Sequence, residues 1–287
     1  MNYLAGSILS LFSVLGYSII SIYIGRTARK LGAFWTGLSI QVLDLPLNLL
    51  LLPFFPFKFS FDKYLLAIAI FGISVPLTYT LYSKSLSIGP ASVVAAILRI
   101  GNLITFILAI FFLQEKITLF KILGGLLVIL GVIVVSLHLG ELLKRKVKLL
   151  TLATPLVLLQ AVISGVMSIL LGLGSKEFNG FSAALLTRFF IVPSYLLLSL
   201  TRKKPRGNLF VKSWRVLLFI AAVDVAAFIL YNQAVYVSEI SFITITQSTV
   251  PVATAIIAAL LFRERLDLFQ KFGILLVVIG TMILNLG

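Results

Sequence analysis

Cysteine is absent from this chain of 287 residues, and charged side chains are few. Without cysteine there is no disulfide, no thiolate nucleophile and no cysteine-ligated metal, and the single histidine, His138, cannot form a metal cluster. We therefore expect neither a metal nor another cofactor. Charged residues make up 11% of the chain and hydrophobic residues 60%, which excludes a water-soluble domain of this length. The composition predicts an all-α integral membrane protein with several spans.

A net charge of +15 is the feature that would suggest a nucleic-acid-binding protein. The basic residues, however, are spread over short connectors between apolar segments, as expected for loops beside anionic lipid. We therefore expect membrane lipid as a partner and no nucleic acid. The N-terminus has no basic segment and no small-residue cleavage site, so its apolar stretch is interpreted as the first span and not as a signal peptide.

Ten apolar segments follow one another along the chain, each close to the ~20 residues that cross a bilayer. The connectors between them are short, which leaves no room for a soluble domain and places the function within the membrane. At the start of the tenth segment, Asp267 and Gln270 predict a capping box. The predicted spans are residues 4–25, 31–52, 64–87, 90–113, 118–139, 151–173, 180–200, 215–238, 240–262 and 268–286.

One stretch of the chain occurs twice. Residues 82–132 align with residues 231–281 at a constant offset of 149, without a gap, so that Tyr82 meets Tyr231 and Glu115 meets Glu264. The first parts of the two halves match more weakly, at an offset of 147. A period near half the chain length indicates duplication, which is typical of many transporters.

The repeat unit is therefore five spans long. We expect a first repeat at residues 1–140, a basic connector at 141–150 and a second repeat at 151–287. Because five is odd, the second copy inserts upside down, and inverted repeats place a binding site near the bilayer midplane. The predicted fold has ten transmembrane helices in two inverted five-helix repeats around a central cavity.

The distribution of basic residues predicts the orientation. Of the 24 Lys and Arg residues, 17 lie in or beside the connectors after odd-numbered spans and 5 beside the even-numbered ones. The positive-inside rule then places the odd connectors in the cytoplasm and both termini outside, in a multi-pass protein of the plasma membrane.

Four ionisable residues, Asp44, Arg99, Arg188 and Asp224, lie well inside the predicted spans. A charge at this depth costs a few kcal/mol, so each needs a partner or a water-filled cavity. With ~1.5 Å of rise per residue, the depths favour pairing Arg99 with Asp224 and Asp44 with Arg188. None of the four recurs in the other repeat. They either form ion pairs that fix helix register, or Arg99 binds an anionic group while Asp224 binds an amine or a proton.

Polar and aromatic residues at similar depth complete the predicted site. Asp44 and Arg188 are interpreted as a gating or charge pair. Pro76 and Pro251 break backbone hydrogen bonds inside spans, which makes them hinges or static kinks. We expect the substrate cavity to be lined by Arg99, Asn102, Asp224, Tyr231, Gln247, Tyr79, Tyr82 and Tyr17.

Glycines recur seven residues apart on spans five and ten, at Gly124, Gly131, Gly273 and Gly280. Small residues let helices approach closely, so these spans are expected to pack against their own repeat or against a partner.

The tracts TVPVATAIIAALLFRERLDLFQKFGILLVVIG and NLITFILAIFFLQEKITLFKILGGLLVILG resemble EamA-type transporters of the drug/metabolite transporter superfamily. The likeness covers the whole chain and is strongest in the fourth and fifth spans of each half. The first copy departs from the pattern twice, with Asn102 in place of Pro251 and Gln41 in place of Arg188. The resemblance implies a secondary transporter whose spans 1, 3, 4, 6, 8 and 9 line a cavity. It also implies cytoplasmic termini, in conflict with the charge distribution.

The favoured function is alternating-access transport of a small polar or amphipathic metabolite, such as an amino acid or an amine. We expect an exporter, with proton coupling through Asp224, as a monomer or homodimer. The closest alternative is a flippase or export accessory for a lipid or lipid-linked precursor, which predicts an apolar cavity open sideways to lipid. We expect no enzyme, because Asp44 and Asp224 lack the GxGD context of an intramembrane protease and His138 lies at a span end. A channel lacks a visible filter sequence, and a scaffold would not explain charges at the midplane.

Overall fold

The structure is a computed structural model that describes residues 2–88, 91–116, 118–137, 153–203, 209–262 and 266–286. These residues form eleven α-helices and one short 3-10 helix at Leu52–Phe54, with no β-strand among them. The predicted connector 141–150 lies outside the described residues. The helices are α1 (Tyr3–Leu31), α2 (Ala33–Leu50), α3 (Lys63–Ile88), α4 (Ala91–Leu113), α5 (Leu119–Leu137), α6 (Ala153–Phe178), α7 (Gly180–Ser199), α8 (Leu209–Val237), α9 (Ile240–Gln247), α10 (Val250–Phe262) and α11 (Leu268–Leu284).

Seven helical segments among the described residues are long and apolar enough to cross a membrane. They coincide with predicted spans 1, 3, 5, 6, 7, 8 and 9, and two shorter apolar helices match spans 4 and 10. Helix α2 is less apolar because it carries Gln41, Asp44 and Asn48. The expectation of an all-helical, multi-pass membrane protein is confirmed.

The ninth predicted span is divided into α9 and α10. A tight turn at Ser248 and Thr249 separates them, with hydrogen bonds from the Ser248 amide to the Ile245 carbonyl and from the Thr249 amide to the Thr246 carbonyl. Pro251 follows in the first turn of α10, where it has no N–H to donate. A helix therefore restarts in the middle of this span.

Helices α5 and α11 form the most extensive helix pair, which joins the two halves of the chain. A Cβ on Gly131 would lie 2.5 Å from the Gly273 carbonyl oxygen, and one on Gly124 would lie 2.7 Å from that of Gly280. Only glycine permits this approach. The predicted close packing is therefore present, but it joins the two repeats to each other.

Packing between the other helices follows the repeat. The contact of α1 with α8 has its counterpart in that of α6 with α3, since span one corresponds to span six and span three to span eight. Likewise, α4 packs on α6 as the two pieces of span nine pack on α1. The capping box at Asp267 and Gln270 is confirmed, with the Gln270 amide 2.7 Å from the Asp267 carboxylate.

Hydrogen bonds at the two ends of the bundle show which connectors lie together. At one end, the Asn2 amide donates to the Val237 carbonyl at 2.9 Å, and the Ser7 hydroxyl donates to Asn285 at 2.6 Å. At the other end, the Trp35 indole donates to the Lys203 carbonyl at 3.0 Å. Both ends of the described chain therefore lie beside the connector after span eight, and the connectors after spans one and seven lie together.

Candidate functional site

Arg188 on α7 is the centre of a buried charge cluster. Its Nη2 lies 2.7 Å from the Asp224 carboxylate on α8 and 3.2 Å from the Asp44 carboxylate on α2. Its Nη1 donates to the Gln41 side chain at 2.6 Å. The guanidinium carbon also lies 4.4 Å from the centre of the Phe228 ring, a cation–π distance. One side chain thus connects three helices of the two repeats.

The two carboxylates of this cluster have different surroundings. The Asp44 side chain is 0% exposed and its oxygens accept no hydrogen bond, whereas the Asp224 side chain is 15% exposed. Two carboxylates share one guanidinium, so the cluster carries one negative charge in excess when both are ionised. Such a charge is costly away from water, and a proton or a cationic group would neutralise it.

The predicted pairing of Asp44 with Arg188 is present, but Asp224 also pairs with Arg188 and not with Arg99. Depth along a helix does not specify rotation about the helix axis, and a helical turn of error was enough to exchange the partners. The contribution of Gln41 was missed, because it was treated only as the repeat-related counterpart of Arg188.

Arg99 on α4 stands apart from this cluster. Among the described residues it makes no hydrogen bond and no ion pair, and its Nε is buried without a partner. The side chain keeps partial exposure, and Tyr82 is its closest electrostatic neighbour. Arg99 is thus a cation inside a predicted span whose charge no described side chain compensates.

Two tyrosines of α3 are electrostatic neighbours of Arg99 and of Asp224. The Tyr79 ring lies 6.2 Å from that of Tyr82, and Tyr79 is also within electrostatic range of Asp224. Tyr82 in turn is the neighbour of Arg99. This tyrosine pair therefore links the surroundings of Arg99 to those of the partly exposed Asp224 carboxylate.

Two further tyrosines, Tyr17 and Tyr231, belong to the surroundings of Asp224. Tyr17 on α1 is within electrostatic range of Asp224 and Tyr231, and both tyrosines pack against one apolar cluster that includes Phe228. The rings of Phe228 and Tyr231 stack at 6.4 Å. Phe228 was not predicted, although it lies one turn after Asp224 and so on the same face of α8.

Asn102 and Gln247 connect the site to the break between α9 and α10. The Asn102 amide donates to the Ser248 hydroxyl at 2.7 Å. The Gln247 amide lies 3.4 Å from both the carbonyl and the hydroxyl oxygen of Ser10 on α1. Pro251 lies beside this break, whereas Pro76 lies inside the uninterrupted helix α3.

Exposure separates the predicted residues into two groups. Asp44 and Arg188 are buried. The eight residues predicted to line a cavity all retain partial exposure although they lie inside helices: Arg99, Asn102, Asp224, Tyr231, Gln247, Tyr79, Tyr82 and Tyr17.

Charged side chains also close the end of the bundle where the N-terminus lies. The Glu115 carboxylate accepts hydrogen bonds from the Ile240 and Ser241 amides, at 2.7 and 3.0 Å, and so caps α9. Lys121 forms a buried ion pair with Glu239, which accepts a hydrogen bond from the Tyr3 hydroxyl at 2.7 Å. Glu115 therefore caps a helix of the other repeat.

A second, apolar feature lies on the flank of the bundle. A groove of about 810 Å³ runs between α1, α10 and α11. Its walls are almost entirely hydrocarbon, with Thr249 and Asn285 among the few polar residues. The residues that line it include Leu11, Leu15, Val252, Ile256, Val278 and Met282.

Comparisons with known proteins agree with this architecture. Among solved structures, 29 chains match, and one crystal structure aligns with 99% of this chain and 98% of its own at a TM-score of 0.73 and 13% identity. That likeness shows a common fold. No curated protein is similar enough in sequence to match. The model of the EamA-like transporter family matches residues 4–137 and again residues 151–286. This double match covers nearly the whole chain, so the protein belongs to the EamA-like transporter family and is a membrane transporter of the drug/metabolite transporter type.

Proposed function

We propose that the protein is a secondary transporter in which two inverted five-helix repeats give alternating access to a central site. A chain that crosses the membrane ten times would bring together the connectors that are in contact at each end of the bundle. Asn2 contacts Val237 at one end, and Trp35 contacts Lys203 at the other. The matching contacts of α1 with α8 and of α6 with α3 support a two-fold relation between the repeats. The division at residues 141–150 is part of this proposal.

The observation that carries the function is the charge cluster of Arg188, Asp44 and Asp224. One guanidinium between two carboxylates leaves a negative charge that a proton or an amine would neutralise. Asp224 is the more exposed of the two acids, so it is the group that exchanges protons or contacts the cargo. The cargo is a small polar or amphipathic metabolite such as an amino acid or an amine, and its transport is coupled to protons.

Transport in proteoliposomes tests this proposal. The purified protein is assayed for uptake of the radiolabelled standard L-amino acids and their decarboxylated amines, with and without an imposed proton gradient. We expect gradient-dependent uptake of at least one compound. Asp224→Asn abolishes it while the variant elutes as a folded protein, because Arg188 keeps its partner Asp44. Arg215→Gln, an exposed charge on α8, is the matched control and retains uptake.

Two results would contradict the proposal. No uptake of any compound would exclude this cargo class. Unchanged transport in both Asp224→Asn and Arg99→Ala would remove these residues from the mechanism.

We also propose that the protein is an exporter of the plasma membrane, with the odd-numbered connectors in the cytoplasm and both termini outside. The positive-inside rule supports this orientation. Because the chain has no cysteine, single cysteines at Asn2 and Asn285 can be labelled in intact cells with a membrane-impermeant maleimide. We expect labelling at both positions, and protection at both would reverse the orientation.

The groove between α1, α10 and α11 favours a second candidate function, movement of a lipid or lipid-linked precursor. Its apolar walls suit an acyl chain. A fluorescent phospholipid whose outer-leaflet copies are quenched by dithionite measures this activity in proteoliposomes. If the amino acid or amine proposal is correct, the fraction of fluorescent lipid that dithionite cannot quench is the same with and without the protein. A larger quenched fraction in the presence of the protein would favour the flippase instead.

A further inference from the structure

We propose that Arg99 and the N-terminus of α10 form an anion subsite that binds the carboxylate of the cargo. This inference rests on the proposed transport function and narrows its substrate class. It favours amino acids and other carboxylates over simple amines.

The first observation is the lack of a partner for Arg99. Each of the other three charged residues deep in the spans takes part in the Arg188 cluster. Arg99 has no acidic partner among the described residues, and its buried Nε has no hydrogen-bond acceptor. A guanidinium inside a membrane requires a counter-charge or water. Since the described residues supply no counter-charge, we infer that the cargo brings one.

The second observation is the helix that begins in the middle of span nine. Helix α10 starts at Val250, where Pro251 has no N–H and the Ala253 amide donates to the Thr249 carbonyl at 3.0 Å. This leaves the amides of Val250 and Val252 as the first-turn donors without a carbonyl partner inside the helix. A helix start carries a partial positive charge, and half-helix N-termini in transporters commonly point at anionic groups.

The third observation places these two features together. Asn102 lies three residues after Arg99, on the same face of α4, and it donates a hydrogen bond to Ser248, two residues before α10. In the repeat, Arg99 corresponds to Ser248 and Asn102 corresponds to Pro251. If the two repeats are related by a two-fold axis, the contact of Asn102 with Ser248 has a symmetry-related counterpart. In that counterpart, Pro251 takes the place of Asn102 and Arg99 takes the place of Ser248. By this two-fold relation, Arg99 faces the first turn of α10.

The remaining polar groups suit a molecule that carries both charges. Tyr82 neighbours Arg99, and Tyr79, whose ring lies 6.2 Å from that of Tyr82, neighbours Asp224. A carboxylate at Arg99 and an ammonium at Asp224 would satisfy the unpaired cation and the excess negative charge of the Arg188 cluster together. A simple amine would satisfy only the second.

Thermal stabilisation of the purified full chain tests the subsite with three matched sets of probes. The amino acids are L-alanine, L-leucine and L-phenylalanine. The amines are ethylamine, isopentylamine and phenethylamine, and the acids are propionate, 4-methylpentanoate and 3-phenylpropanoate. A ligand that binds the folded state raises its unfolding temperature. We expect stabilisation by at least one amino acid and by its deaminated acid.

Substitution at Arg99 is expected to act only on the carboxylates. Arg99→Gln should weaken the apparent affinity for amino acids and acids at least tenfold and leave any response to the amines unchanged. Arg99→Lys should retain part of the carboxylate response, because it keeps the charge. Arg215→Gln is the control. Without ligand, Arg99→Gln should unfold at the same or a higher temperature than the parent, which separates lost binding from lost folding.

Several results would overturn the inference. The inference would be wrong if carboxylates stabilise the Arg99→Gln variant as much as the parent protein. It would also be wrong if no carboxylate stabilises the parent protein. The two lipids phosphatidylglycerol and phosphatidylcholine are added in the same thermal unfolding assay. If Arg99→Gln changes only the stabilisation by phosphatidylglycerol, the subsite binds a lipid headgroup and not the cargo. If amines alone are transported, the anion subsite is wrong while the proposed transport function stands. If none of these compounds is transported, the cargo class itself is wrong.

Discussion

Arg188 and Arg99 carry the same charge and both lie inside predicted spans, but their surroundings are opposite. Arg188 contacts Asp44, Asp224, Gln41 and the Phe228 ring. Arg99 has a buried Nε without an acceptor and no acidic partner among the described residues. The charge of the first arginine is compensated by the protein, whereas no described residue compensates that of the second.

This difference indicates separate roles for the two residues. A buried cation that connects three helices fixes how those helices pack, and its loss leaves uncompensated charges behind. A cation without a partner adds nothing to packing and lowers stability until a ligand binds. The comparison predicts effects of opposite sign when each arginine is removed.

The largest expected effect is that of Arg188→Leu. The substitution leaves Asp44 and Asp224 close together without their shared cation, so we expect the folded state to lose about 3–5 kcal/mol. Thermal unfolding in detergent measures the change. Adding Asp44→Asn, which removes one of the two stranded charges, should restore part of the loss. Equal stability of Arg188→Leu and the parent would show that the cluster does not hold the helices together.

The next effect is that of Arg99→Leu, and it has the opposite sign. Removing an unpaired charge from the interior should raise the stability of the ligand-free protein by about 0.5–2 kcal/mol. The same unfolding assay measures it, with Arg188→Leu as the contrasting variant. A loss of stability as large as that of Arg188→Leu would mean that Arg99 has a structural partner, and the distinction between the two arginines would fail.

The smallest expected effect concerns the hydrogen bond between Asn102 and Ser248. Polar pairs between membrane helices contribute about 0.6 kcal/mol on average. A double-mutant cycle of Asn102→Ala and Ser248→Ala should give a coupling energy of this size in the unfolding assay. If the bond positions the start of α10 beside Arg99, each single variant should also weaken carboxylate binding. Additive effects on stability together with unchanged binding would separate this contact from the anion subsite.

The parts of the fold that depend on composition and local pattern could be predicted. Long apolar segments specify membrane helices because their backbone polar groups must be satisfied within each helix. The capping box at Asp267 and Gln270 is equally local, since it involves residues three apart. The eight residues predicted to line a cavity all retain partial exposure, and their place in a cavity stays a prediction.

Contacts between distant helices were harder to predict. Depth favoured pairing Arg99 with Asp224, but the rotation of each helix decided that Arg188, and not Arg99, pairs with Asp224. Pro251 indicated a weak point in span nine, yet a proline alone is compatible with a kink or a full break. Glu115 lies between α4 and α5 in the chain, yet it caps α9 because the packing of the two repeats brings those segments together.

By itself, the amino-acid sequence determined a duplicated, multi-span helical membrane protein and the set of residues that carry charge within it. Hydropathy and repetition are properties of the chain read in order, so folding was not needed to see them. The tertiary structure decided which arginine is compensated and which remains open. That distinction depends on how helices far apart in the chain rotate and approach, and a charge inside a membrane acquires its role from the groups that surround it.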